Sequence, residues 1–147
     1  PYWDGGYMGN PALWPFFSEC QSNDIMIVQI NPIERHETPK TAADINNRVN
    51  EITFNASLQR ELRAIDFVAR LIEDGRLENS NYERLLLHRI YDDEAFDGLN
   101  ASSKLNAEFS FLDHLFSVGK RCAEAWMAKH YDDIGERSTV DIRGMFD

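Results

Sequence analysis

Asp4 is followed directly by Gly5 and Gly6, and comes straight after Tyr2 and Trp3, aromatic residues of the kind that end a strand. Two glycines after an acid let the backbone take positive φ and approach a neighbouring loop closely, so the carboxylate projects from the end of a sheet. A carboxylate held there can take a proton from a nucleophile, the work of a general base. The partner that this chemistry needs is not obvious. No GxSxG elbow occurs in the sequence, and Ser18, Ser57, Ser103 and Ser138 lack the strand-to-helix setting that exposes a nucleophile, so none is assigned that role. His36, His88, His114 and His130 form no catalytic constellation. Cys20 and Cys122, the only cysteines, fit neither CxxC nor Cys/His zinc spacing and read as free, buried or half-buried thiols.

Elements must hold Asp4 in place. Asn10-Pro11 is a helix-entry signal, with Asn10 as cap and Pro11 at the first helical position, and Pro15 keeps that helix short. Its aromatics, Trp14 and Phe17 among them, either wall an acyl-chain pocket or pack as core. Ile25 to Ile30 is a nearly continuous apolar run and reads as a central parallel strand covered on both faces. Asn31 and Pro32 then sit at the carboxyl end of that strand, where ligands collect in open α/β sheets, which makes Asn31 a third pocket candidate. Arg35 and His36 follow in a polar loop, facing either substrate or solvent. Thr38 or Thr41 caps a helix whose apolar positions run from Ile45 to Ile72 and stop at Gly75, as one long helix or two joined near Asn55.

Leu85 to Ile90 is the next strand, with His88 as a hydrogen-bonded histidine inside it, so strand, helix and strand form a crossover unit. The segment from Asp92 to Gly98 is no EF-hand, because aligning Gly98 with the loop glycine puts Ala95 and Lys104 where oxygen ligands belong. Asn55-Ala56-Ser57 and Asn100-Ala101-Ser102 match a glycosylation sequon, but the first falls in a helix. The last third is helical from near Asn106, with Phe109, Leu112, Phe116, Ala123, Trp126 and Met127 as its buried face and Gly119 as a dividing point.

With 147 residues, 43% of them hydrophobic, the chain has one domain's worth of core. A net charge of −10 excludes a nucleic-acid footprint, which needs clustered Lys and Arg. No apolar run approaches the ~20 residues that span a bilayer, so membrane contact would be peripheral.

The turn Asp4-Gly5-Gly6, followed by Gly9-Asn10-Pro11, resembles the aspartate motif of the patatin-like phospholipases. The resemblance continues through Asn31-Pro32-Ile33-Glu34-Arg35, Thr41-Ala42-Ala43-Asp44-Ile45, Asn50-Glu51-Ile52-Thr53-Phe54-Asn55, Glu61-Leu62-Arg63-Ala64-Ile65, Ser103-Lys104-Leu105-Asn106 and Ser138-Thr139-Val140-Asp141. It covers nearly the whole chain, as the C-terminal half of a bacterial member. It implies the C-terminal part of a three-layer α/β/α domain with parallel strands and long covering helices. It also implies a lipid acyl hydrolase, a phospholipase or esterase, in which Asp4 takes the proton of a serine that attacks an ester carbonyl. Such a Ser-Asp dyad needs no cofactor and no metal. The serine and the glycine-rich oxyanion loop would belong to an N-terminal half of the same domain, so the chain alone is expected to be inactive. Its beginning at Pro1, in mid-motif, fits that expectation, and an apolar sheet edge left without neighbours would make it associate into oligomers. Two other readings stay open: a non-catalytic binding module, and a stable proteolytic fragment.

Overall fold

The computed structural model describes residues 1–78, 80–96, 99, 103 and 105–146. Asp97, Gly98, the second sequon and Lys104 lie outside the described residues. In chain order the elements are α1 (Phe16–Glu19), β1 (Asp24–Val28), α2 (Ala42–Glu73), β2 (Leu86–Ile90), α3 (Asp93–Phe96) and α4 (Phe109–His130), with 3-10 turns at Gly5–Tyr7 and Tyr131–Asp133. This is a mixed α/β chain, helices around a small parallel sheet.

Both ends of α2 are set by local chemistry. Thr41 Oγ1 accepts from the Asp44 N–H while Asp44 Oδ2 accepts from the Thr41 N–H, both at 3.2 Å, a capping box that satisfies two donors at the helix entry. At the exit Gly75 takes a φ of 69°, its N–H donating to Ile72 O and the Arg76 N–H to Leu71 O. That pair of bonds is a Schellman motif, and a Cβ at Gly75 would resist the left-handed backbone it requires. Between these stops the 32 residues run as one unbroken helix, about 48 Å long at ~1.5 Å per residue. Asn55 does not divide it. Its buried side chain donates to Pro32 O at 2.7 Å and ties the middle of the helix to the exit from β1.

β1 and β2 pair in parallel, in register from Asp24 opposite Leu86 to Val28 opposite Ile90, so the β1–α2–β2 crossover unit is present. The core lies on one face of this pair. Ile25 and Ile27 of β1 and Leu87 of β2 pack with Leu58, Leu62 and Ile65 of α2 and with Leu13, and Val140, Ile142, Met145 and Phe146 close the cluster. The other face of β1 is open, contrary to the expectation of a strand covered on both sides: Met26 is 40% exposed and Val28 68%. Among the described residues the sheet has two strands, so β1 is an edge strand and not a central one. An apolar run cannot distinguish a strand with two covered faces from one whose second face lacks a partner.

After β2 the chain returns along α4, continuous through Gly119, where an added Cβ would meet nothing within 4 Å. Trp126 and Val118 are buried, Trp126 setting its ring edge-on to His88 of β2 at 5.4 Å. Of the rest of the expected apolar face, Ala123 is half-buried and the larger side chains are not covered. Phe109 is 81% exposed and Phe116 69%, with Leu112 and Met127 near half, while the buried residues of α4 are Val118 and Trp126. The segment beyond α4 then fastens to β2: the Leu87 N–H donates to Ser138 Oγ at 3.0 Å, and Leu87 O accepts from Thr139 N and Val140 N. Among the described residues no helix is long and apolar enough to cross a membrane.

Candidate functional site

Asp4 stands exposed at the entry to the first 3-10 turn, where its Oδ1 accepts from the Gly6 N–H at 2.8 Å. That bond fixes one carboxylate oxygen of an exposed residue. The glycines serve a different purpose from the one their sequence suggests. Positive φ occurs at Gly75 and Gly135 among the described residues, not at Gly5 or Gly6. Gly6 is needed for close approach: a Cβ there would lie 3.0 Å from the Phe54 ring and 3.2 Å from Asp4 Oδ1. At Gly5 it would meet open space.

The turn is tied to α2 at three points. Tyr7 packs on Phe54 at 5.4 Å between ring centroids, the Asn10 N–H donates to Ser57 Oγ at 3.0 Å, and the Leu13 N–H donates to Glu61 Oε2. No helix opens at Pro11, contrary to the expectation. The N–H groups of Asn10 and Leu13 are engaged by α2 side chains, and the chain turns helical only at Phe16, with Pro15 in the N-cap position. Ser57, whose hydroxyl also donates to Phe54 O, is a structural link that the sequence did not disclose.

A cavity of about 370 Å³ opens at the carboxyl ends of both strands. Asn31 lines it beside Val28, Gln29 and Ile30, facing Ile90 to Asp92 from β2, Phe54 from α2, and Leu112, Leu115 and Val118 from α4. Trp14 and Phe17 do not line it. Trp14 is 65% exposed and Phe17 39%, both on the short segment beside the Asp4 turn. Of the three pocket candidates the structure therefore brings Asn31 to the cavity, and Phe54 is the residue shared by the cavity wall and the turn that holds Asp4. Arg35 belongs to the wall as well, pairing with Glu51 at 2.6 Å, whereas His36 faces solvent.

Two other polar groups bear on the fold around the site. His88 is buried, with Nε2 2.8 Å from Asp24 Oδ1 and Nδ1 3.2 Å from Thr139 Oγ1. The Gly135 N–H and this His88 contact both favour the Asp24 carboxylate and hold its pKa below the usual value. Cys122 lies on the cavity wall against Asp92, its Sγ 3.7 Å from Oδ2, and burial pushes its thiol up. Cys20, expected to be at least half-buried, is exposed. Among the described residues no group of three or more His, Cys, Asp or Glu side chains is placed to hold a metal ion.

Comparison of the chain with protein-family models, curated proteins and solved structures gave no match.

Proposed function

We propose that this chain supplies the aspartate of a Ser-Asp dyad in a lipid acyl hydrolase of the patatin-like type, and that it forms the C-terminal part of a three-layer α/β/α domain. The observation that carries the reading is Asp4 itself: an exposed carboxylate with one oxygen held by the Gly6 N–H and its turn braced against a long helix. A base must be fixed in place before it can take a proton efficiently, and this arrangement fixes it. Asp4 takes the proton of a serine hydroxyl as that oxygen attacks the ester carbonyl, and returns it to the leaving alkoxide. Water, deprotonated by Asp4 in turn, then releases the fatty acid. The open face of β1 and the uncovered face of α4 support the three-layer reading, because an N-terminal half carrying the serine and oxyanion donors would cover apolar surface there.

The test is ester hydrolysis by the native protein with Asp4→Asn beside it. The substitution keeps the side chain's shape and its acceptor for Gly6, and removes the base. The expected result is a fall in kcat of about a thousandfold or more, with little change in KM. Unchanged turnover in Asp4→Asn would overturn the proposal.

A further inference from the structure

Six of the first 17 residues are aromatic, and all six are at least 39% exposed. Trp3 is 87% exposed, and Met8 beside them 88%. Side chains of this size are ordinarily put away in a core, and a run of them held out in water marks a surface that something else covers. The segment is nonetheless held in place. Trp3 sets its ring edge-on to Tyr7 at 6.2 Å, and the contacts of Tyr7, Asn10 and Leu13 fall on Phe54, Ser57 and Glu61 of α2. Those three positions form one stripe of the helix, about 10 Å long at ~1.5 Å per residue. The segment therefore runs along one side of α2, and its exposed rings belong to that side of the molecule.

The residue types decide what covers them. Tyr2, Trp3, Tyr7 and Trp14 have apolar rings that end in an N–H or O–H, a combination suited to a lipid–water interface, where the ring leaves water and the donor meets headgroup oxygens. The exposed side chains of β1 and α4 are of another kind. Met26, Val28, Phe109 and Phe116 have no polar donor, and suit a dry contact with protein. Charge selects the kind of lipid. Residues 1–34 contain no Lys, Arg or His, and between Pro1 and Ser18 the side chains carry one charge, that of Asp4. Anionic lipid surfaces are held by clustered cations, which this segment lacks, and the net charge of −10 opposes them further. Asp4 also limits the depth. Its exposed carboxylate, between Trp3 and Tyr7, stays among the headgroups, so the rings enter only roughly 5 Å.

We infer that the segment from Tyr2 to Phe17 docks peripherally on a zwitterionic lipid surface, with Trp3 and Trp14 as its anchors. The inference stands on the exposed aromatics and the charge pattern, whether or not Asp4 takes a proton. The test is flotation of the chain with phosphatidylcholine vesicles, beside vesicles containing an equal part of phosphatidylglycerol. Binding should saturate on phosphatidylcholine and be weaker on the anionic vesicles. Lipid brominated near the headgroup should quench the tryptophan fluorescence more than lipid brominated deep in the chain. In the double variant Trp3→Ser, Trp14→Ser, which changes two exposed positions and keeps buried Trp126 as a reporter of folding, affinity should fall about tenfold or more, and the remaining fluorescence should not be quenched. Phe116→Glu, on α4, should bind as the wild type does. Absence of saturable binding, tighter binding to the anionic vesicles, or binding lost in Phe116→Glu and kept in the double variant would each overturn the inference. So would a fall to monomer mass caused by the double variant in the absence of lipid, since a second copy of the chain would then be what covers the segment.

Discussion

Gly6 and Gly5 are neighbours in one turn, yet they differ in what a methyl group would meet. Gly6→Ala places a Cβ 3.0 Å from the Phe54 ring and 3.2 Å from the Asp4 carboxylate. It should lower stability by about 1 kcal/mol in denaturant melts, while Gly5→Ala stays within about 0.5 kcal/mol. Equal effects would mean that the turn is not seated on α2 as described. Asp24 gives a second expectation, with a sign that follows from its environment. Its folded-state pKa is depressed by the Gly135 N–H and by His88. The stability it contributes is therefore present above the unfolded-state value, about 3.9, and is lost as pH falls through the lower folded-state value. Asp24→Ala should destabilise the protein at neutral pH by about 1–3 kcal/mol, because buried His88 loses its Nε2 partner. It should also flatten the acid limb of the stability curve below about pH 4. Equilibrium unfolding from pH 2 to pH 7 measures both. His88 could be read as a bonded histidine within an apolar run, but its partners could not, since Asp24 and Thr139 lie 64 and 51 residues away in sequence.

The long helix was the most legible element, because its signals are local. The capping box at Thr41, the 3.6-residue spacing and the stop at Gly75 are all set by residues within a turn of one another. Thr41→Ala should cost about 1 kcal/mol, read as a lower urea midpoint with the slope unchanged. Leu62→Ala, in the part of the helix that meets the sheet, should cost about 2–5 kcal/mol in the same measurement. The two strands were legible as apolar runs within a residue or two of their ends, but which of their faces would be covered was not. Periodicity records that a face is apolar, not that another element reaches it. The same limit explains Ile45, Val49 and Ile52, which keep the helical spacing of α2 and are nonetheless about half exposed. Pro11 is not a helix start, and what holds the chain there was not legible: the bonds from Asn10 to Ser57 and from Leu13 to Glu61 reach partners more than 40 residues away.

Apolar surface is concentrated on one side of β1, on the first turns of α2 and along α4, and β1 has no second strand neighbour among the described residues. Surface of that kind drives association. At micromolar concentration the isolated chain should elute as an oligomer by size-exclusion chromatography with light scattering. Phe116→Glu, at an exposed position of α4, should shift it toward the monomer mass of 17.0 kDa. A strictly monomeric wild-type chain would argue that these faces have no affinity for partners. Under the proposed function the same surface would be covered by a nucleophile-bearing polypeptide, which would join the behaviour of the whole molecule to the proposed role of Asp4. The most direct measurement is labelling of the protein from its source cells with a serine-reactive fluorophosphonate, read by intact mass and by peptide mapping that includes Asp4. The adduct should fall on a serine in a GxSxG peptide of the same protein, and labelling should be lost in Asp4→Asn. A protein that carries Asp4 and takes no label, or that labels equally well as Asp4→Asn, would contradict the role of Asp4 as the base of a dyad.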